Sequence, residues 1–206
     1  MVEAFTGLLF AIIAWQFFAT PFAWLLFSVV AAVLVVVFVY DLRHTIIPNE
    51  LVLLLTGLAI LSFGTRYLEG VRIELLYTLA SALTASGIFA ALWFFSRGRL
   101  IGLGDAKLIF PLALMLTPSG VLSFIVLAFW IGTAYVGITA LIQKLSKILV
   151  HIHFSLPRYT MQSEVPFGPF LIVGFFAVLL ANVDILILTQ IFADATTRLV
   201  YNFLLH

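Results

Sequence analysis

The sequence has no cysteine and very little charge, and both absences restrict what the protein can do. Without cysteine there are no disulfide bonds, no cysteine nucleophile and no cysteine-ligated zinc or iron–sulfur site. Charged residues make up only 9% of the 206 residues, and a formal net charge of +1 gives no reason to expect a nucleic-acid partner. The histidines are too scattered to indicate a metal site; they are His44, His151, His153 and His206. We therefore expect no metal and no other cofactor.

Apolar residues, in contrast, are present in large excess. The chain is 64% hydrophobic, contains 21 Phe and has a mean hydropathy of +1.24, far above the values of soluble domains. Apolar runs of about 20 residues indicate membrane helices rather than the short alternating strands of a barrel. We predict an all-α, polytopic integral membrane helix bundle with about seven (six to eight) transmembrane helices. It forms a single membrane domain over residues 1–206, with no soluble domain.

Polar and proline-containing breaks divide the apolar runs into helices. The N-terminal segment has no basic region and no small-residue cleavage site, so we interpret it as a retained helix rather than a signal peptide. The tail 183–206 is interrupted by charged residues and is either a weaker eighth helix or an interfacial one. The predicted spans are 4–19, 22–40, 48–63, 75–95, 106–117, 121–142 and 167–182.

Basic residues predict the orientation of the bundle, because they collect in cytoplasmic loops. With a cytoplasmic N-terminus, the loops on the outer side hold only Arg66 and Arg72. The loops on the cytoplasmic side hold Arg43, Arg97, Arg99, Lys107, Lys144, Lys147 and Arg158. This orientation places Asp41 and Asp105 on the same, cytoplasmic side.

Two aspartates at the edges of apolar segments are the strongest functional signal. Asp41 ends a long apolar run, and Asp105 lies in the sequence Gly-Leu-Gly-Asp at 102–105. A carboxylate near a bilayer is costly unless it is paired or solvated. Two carboxylates that meet are the minimum for an aspartic protease, in which one acts as base on a water and the other as acid. Each also has a simpler interpretation, with Asp41 ending a membrane span and Asp105 capping the next helix.

Residues next to the aspartates are candidates for shaping a site. Gly102 and Gly104 would let the backbone pass close to a substrate strand and would permit dihedrals closed to other residues. Arg43 and Lys107 follow their aspartates by two residues, a spacing that does not bring side chains face to face on a helix. We therefore interpret these two first as topology anchors. The segment 166–170, Pro-Phe-Gly-Pro-Phe, is either a rigid entry turn or a shaped wall near the site.

Four features of the sequence occur together in a known family. Segment 41–49 holds Asp-Leu-Arg and then Ile-Pro-Asn, and segment 102–108 reads Gly-Leu-Gly-Asp-Ala-Lys-Leu. The separation of these motifs and the segment 165–171, Val-Pro-Phe-Gly-Pro-Phe-Leu, complete the pattern. This arrangement resembles that of the bacterial type IV prepilin leader peptidases, membrane aspartic peptidases of the Gly-x-Gly-Asp kind. The resemblance covers about residues 22–182.

The resemblance implies an activity, a site and a substrate. Asp41 and Asp105 would be the catalytic pair, sharing one proton and activating a water without a metal or a covalent intermediate. The substrate would be a prepilin or pseudopilin precursor, cut between its basic leader and its hydrophobic helix at the cytoplasmic face of the bacterial inner membrane. The lipid bilayer is the other expected partner. Residues expected to bind substrate or shape the site are Gly102, Gly104, Lys107, Arg43, Pro48, Asn49, Pro166 and Gly168.

The chain departs from longer members of that family. Those members carry a cytoplasmic domain with paired cysteines between the first two helices, linked to N-methylation of the mature pilin. Here only Thr20-Pro21 separates the first two predicted spans and there is no cysteine, so we expect peptidase activity alone. The polar segment 143–165 is a candidate for contact with the leader, through Glu164.

Other functions are compatible with parts of the pattern. A protease of the presenilin and signal-peptide-peptidase type also uses Tyr-Asp and Gly-x-Gly-Asp, but its Pro-Ala-Leu element is missing here. A transporter or channel could use membrane aspartates to bind protons or cations, and would need more polar residues within the spans. A non-catalytic assembly protein of a pilus or secretion system is the third alternative.

Overall fold

The protein is a bundle of helices. The computed structural model describes residues 2–68, 72–149, 166–181, 184 and 189–190. The described residues contain seven helices and no strand, which confirms the predicted all-α class. The helices are α1 (Val2–Phe17), α2 (Pro21–His44), α3 (Asn49–Leu68), α4 (Arg72–Ser96), α5 (Leu103–Leu114), α6 (Pro118–Leu149) and α7 (Gly168–Ala181).

Four of these helices are long and apolar enough to cross a membrane: α2, α3, α4 and α6. Two shorter apolar helices, α1 and α7, accompany them, and α5 has only 12 residues. Many large apolar side chains on the outer surface are exposed, such as Trp15, Leu53 and Phe95. Exposed apolar surface of this extent is typical of a bundle that is surrounded by lipid.

The short helix α5 lies in the centre of the bundle. It packs against α3, α4, α6 and α7, and eight of its 12 residues are buried. Leu108, Ile109 and Leu112 are completely buried. The chain reaches α5 through Gly102, whose extended backbone (φ −71°, ψ 146°) precedes the first helical residue. A short helix that is largely buried can carry a polar residue into the bundle, because its neighbours shield that residue from lipid.

Helix α2 extends beyond its predicted end. We expected it to end at about residue 40, but it continues to His44, so Asp41 lies in its last turn rather than after it. Thr45 ends the helix in the left-handed region (φ 54°), with its backbone N–H donating to the Asp41 carbonyl oxygen at 2.8 Å. The short connection 45–48 then leads to α3, and Asn49 is the first residue of that helix.

Two other predicted boundaries also differ. Helix α5 begins at Leu103, so Asp105 lies inside its first turn; the capping position is occupied by Gly102, and Asp105 is not the N-cap. Helix α6 continues to Leu149, so residues 143–149 of the predicted polar segment are helical. The remainder of that segment, with Glu164, lies outside the described residues, as does most of the tail 183–206.

Close packing against α6 fixes the position of the N-terminus of α7 in the bundle. A Cβ atom at Gly174 would lie 2.7 Å from the backbone oxygen of Phe124 on α6. The two helices therefore cross with their backbones almost in contact, as small residues permit in membrane bundles. This crossing brings the N-terminus of α7, at Gly168, next to the C-terminal turn of α2.

Candidate active site

Asp41 and Asp105 line the same cleft. The cleft has a volume of about 310 Å³ and lies where the C-terminal end of α2, the start of α3 and the start of α5 meet. Both side chains are almost completely buried, with 4% and 7% of their surface exposed. The residues that line the cleft are Asp41, Thr45, Ile46, Ile47, Asn49, Gly102, Leu103, Gly104, Asp105 and Lys107.

The Asp41 carboxyl group is unusual in two respects. Its Oδ2 atom is buried and has no hydrogen-bond partner among the described residues. Its position in the last turn of α2 also opposes the helix dipole, which favours positive charge at that end. A buried polar atom without a partner is destabilising and rare in folded proteins. Asp41 is therefore a residue near the end of α2, as its simpler interpretation has it, but its carboxyl group is buried rather than solvated.

The backbone of α7 completes the surroundings of Asp41. The Gly168 backbone amide interacts with the Asp41 carboxyl group. A Cβ atom at residue 168 would lie 2.5 Å from Asp41 Oδ2, a distance that no side chain could accept without movement. Gly168, predicted as a site-shaping residue, therefore lies directly against one of the two carboxyl groups.

Asp105 lies in α5, outside the four helices that are long enough to span a membrane. Burial, together with a smaller effect of the neighbouring Asp41 carboxylate, raises the pKa of its carboxyl group to about 7, against the opposing effect of a hydrogen bond from the Gly102 backbone N–H. Near neutral pH this carboxyl group therefore carries a proton for a large part of the time. The electrostatic contribution of Asp41 means that the two groups titrate as a coupled pair.

The glycines of the site pack closely against neighbouring side chains. A Cβ atom at Gly102 would lie 3.2 Å from Asp105 Oδ2, and one at Gly104 would lie 3.1 Å from Ile47 Cβ. Neither glycine has a positive φ angle, so the expectation that they provide unusual dihedrals is wrong. The absence of a side chain, rather than backbone freedom, lets the chain at 102–104 pack against Ile47 and the Asp105 carboxyl group.

Lys107 and Asn49 connect the two sequence motifs. The Lys107 Nζ atom donates a hydrogen bond to Asn49 Oδ1 at 3.0 Å, and both residues line the cleft. This contact joins the start of α3 to the first turns of α5. Residues separated by 58 positions are therefore brought together beside the carboxyl groups.

The remaining predicted residues lie at the edge of the site. Arg43 is exposed in the last turn of α2, Pro48 is half-buried immediately before α3, and Pro166 is half-buried two residues before α7. None of these three lines the cleft. Thr45 and Ile46 do line it, although no motif singled them out. The sequence feature that could have indicated these two residues is their position between Asp41 and Asn49.

An aromatic cluster holds the N-terminus of α7 in place. The Phe167 ring lies 4.9 Å from that of Phe129 on α6 and 6.3 Å from that of Phe89 on α4. Phe170 contacts Phe167 and Tyr135. Because Phe167 directly precedes Gly168, this packing locates the backbone that touches Asp41. Sequence reasoning did not find Phe89 or Phe129, because each lies in an apolar stretch of its helix without a local motif.

The chemistry available to the described part of the site is that of two carboxyl groups. No group of three or more His, Cys, Asp or Glu residues that could hold a metal ion occurs in the described ranges. A carboxyl pair with one shared proton can accept a proton from water on one side and donate a proton on the other. The fold and this cleft define a helical membrane protein with a buried carboxyl pair at one end of its bundle.

Comparison with known families identifies the chain more closely. The profile of the type IV leader peptidase family matches residues 28–137, more than half of the chain and including both aspartates. The protein therefore belongs to the type IV leader peptidase family, as the sequence motifs predicted. Gly168 lies beyond the matched region. Neither the search of curated proteins nor the search of solved structures returned a match.

Proposed function

We propose that this protein is an aspartic endopeptidase that removes the leader peptide from prepilins or pseudopilins, with Asp41 and Asp105 as its catalytic pair. Membership of the type IV leader peptidase family supports peptidase activity on substrates of this type. The observation that carries the assignment of the pair is that both buried carboxyl groups line one cleft, one with an unpartnered oxygen. Buried ionisable groups of this kind cluster at functional sites.

In the proposed mechanism the pair acts on a water bound between its carboxyl groups. Asp41 accepts a proton from the water as the water oxygen attacks the scissile carbonyl carbon. Asp105, which is partly protonated at neutral pH, donates its proton to the carbonyl oxygen. The intermediate then collapses, the carbon–nitrogen bond breaks, and the proton held by Asp41 passes to the leaving amine. Asp105 then takes up a proton from the new carboxylic acid or from solvent.

The distribution of charge supports a cytoplasmic site, and the family resemblance implies the bacterial inner membrane as its location. Arg43 lies in the last turn of α2, Arg97 and Arg99 lie between α4 and α5, and Lys107 lines the cleft, all at the end of the bundle that holds the carboxyl groups. Arg66 lies near the opposite end of α3. Because basic residues collect on the cytoplasmic side, this distribution favours a cytoplasmic cleft.

Peptide cleavage is the only activity that we assign. The connection between α1 and α2 contains only residues 18–20, so no domain lies between these helices. The chain has no cysteine, and no cysteine-containing region of the kind that the longer members carry lies between α1 and α2, so our proposal does not extend to methyltransferase activity.

The test is cleavage of a co-expressed prepilin in membranes by wild type, Asp41→Asn and Asp105→Asn. Glu50→Gln is the matched control, because Glu50 is an exposed carboxylate in the first turn of α3 and does not line the cleft. We expect wild type and the control to shorten the precursor, and each Asn variant, present at a normal level, to lose at least about a hundredfold in rate. Cleavage that persists in either Asn variant would contradict the pair. A wild type that cleaves no pilin-like substrate would favour the transporter or assembly alternatives.

A further inference from the structure

A second depression lies beside the carboxyl cleft, on the outer surface of the bundle. It has a volume of about 570 Å³ and opens between α3, α4 and α5. We name it the α3–α5 groove. Its lining residues on α3 are Asn49, Val52, Leu53 and Thr56; those on α4 are Ser86, Gly87 and Ala90; those on α5 are Leu103, Ala106, Lys107 and Phe110.

The groove is continuous with the carboxyl cleft. Asn49, Leu103 and Lys107 line both. The hydrogen bond between Lys107 and Asn49 lies at this junction. A polypeptide whose scissile bond lies beside the carboxyl groups would therefore continue directly from the polar cleft into the apolar groove.

The α4 wall of the groove is built from small residues. Ser86, Gly87 and Ala90 lie on this wall, and an added Cβ atom at Gly87 would meet no atom within 4 Å. Gly87 is therefore not needed for packing inside the protein. Small residues in membrane helices allow the backbone of another helix to approach closely.

A second apolar groove provides an internal comparison. It lies between α6 and α7, has a volume of about 450 Å³ and includes Gly132 and Gly137 in its lining. It shares no lining residue with the carboxyl cleft. Gly137, like Gly87, is an exposed helical glycine whose added Cβ would meet no atom within 4 Å. The two grooves therefore differ in their connection to the cleft but accept the same substitution.

We propose that the α3–α5 groove binds the apolar helix of the substrate, on the side of the scissile bond away from the leader. This inference rests on the proposed function, because it takes the cleaved bond to lie beside Asp41 and Asp105. The apolar helix has to enter lipid next to that bond, and the α3–α5 groove adjoins the cleft there. The competing occupant is a lipid acyl chain, which would fill the groove without contributing to cleavage.

The first test fills each groove separately. Gly87→Leu and Gly137→Leu place the same side chain in the α3–α5 and α6–α7 grooves, and both replace an exposed helical glycine by a better helix former. We expect Gly87→Leu to reduce kcat/KM for a full-length prepilin by roughly tenfold to a hundredfold, because the substrate helix is displaced. Gly137→Leu should remain within about twofold of wild type.

The second test detects the occupant directly and uses the absence of native cysteine. Leu53→Cys places a thiol in the groove, whereas Leu54→Cys places one on the neighbouring exposed face of α3. Each is introduced with Asp41→Asn and Asp105→Asn, and paired with a prepilin that carries one cysteine in its apolar helix. Oxidation by dissolved oxygen and copper phenanthroline should yield a disulfide-linked complex with Leu53→Cys in clear excess over Leu54→Cys.

The outcomes separate this inference from the proposed function. If wild type cleaves but Gly87→Leu equals Gly137→Leu, or if the two cysteines cross-link equally or not at all, the groove does not bind the substrate helix and the inference is wrong. If wild type cleaves nothing but Leu53→Cys is selectively linked, the groove binds the pilin helix and only the proposed activity fails.

Discussion

At the scale of single residues, the contact between Gly168 and Asp41 is the most sensitive part of the site. The 2.5 Å separation between a Cβ atom at residue 168 and Asp41 Oδ2 leaves no space for a methyl group. The flexible end of the Asp41 side chain is the atom that would move, since α7 is held by its close crossing with α6. Displacement of a catalytic group by about 1 Å can reduce a rate by about a hundredfold.

We therefore predict that Gly168→Ala lowers the rate of prepilin cleavage by about a hundredfold while the protein remains folded. Gly57→Ala is the matched control, because a Cβ atom at that exposed glycine would meet nothing within 4 Å. Rates are measured in membranes, and folding is checked by thermal unfolding in detergent. Cleavage by Gly168→Ala within twofold of the control would show that Asp41 tolerates the displacement.

The pKa of Asp105 differs between the folded and the unfolded chain, so we expect the stability of the protein to depend on pH. The value rises from 3.8 to about 7 on folding, mainly by burial. Between these values the folded protein holds a proton that the unfolded chain releases, so stability declines as pH rises through this window and stays low above about 7. Each unit of pKa difference corresponds to about 1.4 kcal/mol.

Asp105→Asn removes this titration, and we expect the variant to be more stable than wild type at pH 8 by on the order of a few kcal/mol. The difference should be much smaller at pH 5, where the wild-type group is mostly protonated. Thermal unfolding in detergent at both pH values measures this difference in stability, with Glu50→Gln as the control. An Asn variant that is less stable than wild type at both pH values would indicate that Asp105 has a structural role.

At the scale of elements, most helix positions could be predicted, whereas the helix ends near the aspartates could not. The apolar runs located all seven helices because lipid requires long stretches without charge. The boundaries at Asp41 and Asp105 were placed wrongly because each carboxylate was interpreted as the edge of a segment. Burial by neighbouring helices allows α2 and α5 to include them, and this protection depends on contacts that are not local in sequence.

The candidate site could also be predicted only in part, because only some of its contacts follow from local sequence motifs. Asp41, Asp105, Gly102 and Gly104 were found because they occur in short motifs, and the cleft contains all of them. The role of Gly168 as a steric neighbour of Asp41 required the α6–α7 crossing at Gly174, which no local pattern shows.

The element that positions Gly168 is the N-terminus of α7, which Phe167 holds against α4 and α6. We predict that Phe167→Ala lowers kcat by about tenfold or more with little change in KM, because the backbone at 168 loses its support. Phe167→Tyr should recover most of the rate, since the ring is retained. Steady-state kinetics on a purified prepilin measure both. Equal losses in the Ala and Tyr variants, or a loss confined to KM, would mean that the ring contacts substrate instead.

At the scale of the whole molecule, the predicted orientation follows from the basic residues at one end of the bundle. Arg99 is exposed next to the carboxyl end, and Phe18, which is 88% exposed, lies in the α1–α2 connection at the other end. Since the chain has no cysteine, single thiols introduced at these positions report sidedness without background.

We predict that a membrane-impermeant maleimide labels Phe18→Cys in intact spheroplasts, and Arg99→Cys only in inverted vesicles. The physical reason is the retention of basic segments on the cytoplasmic side during insertion. Detergent-solubilised samples of both variants show that each thiol can react. Labelling of Arg99→Cys in intact spheroplasts would place the carboxyl pair outside the cell and contradict the proposed site of cleavage.

The dependence of the cleft on Gly168 has a consequence for biogenesis. Ribosomes synthesise the two aspartates first, and α7, which supplies the backbone beside Asp41, follows more than 60 residues after Asp105. A growing chain therefore holds both carboxyl groups well before the cleft is complete. We therefore expect the proposed peptidase activity to appear only after α7 has been made, when α1 to α6 have already been synthesised.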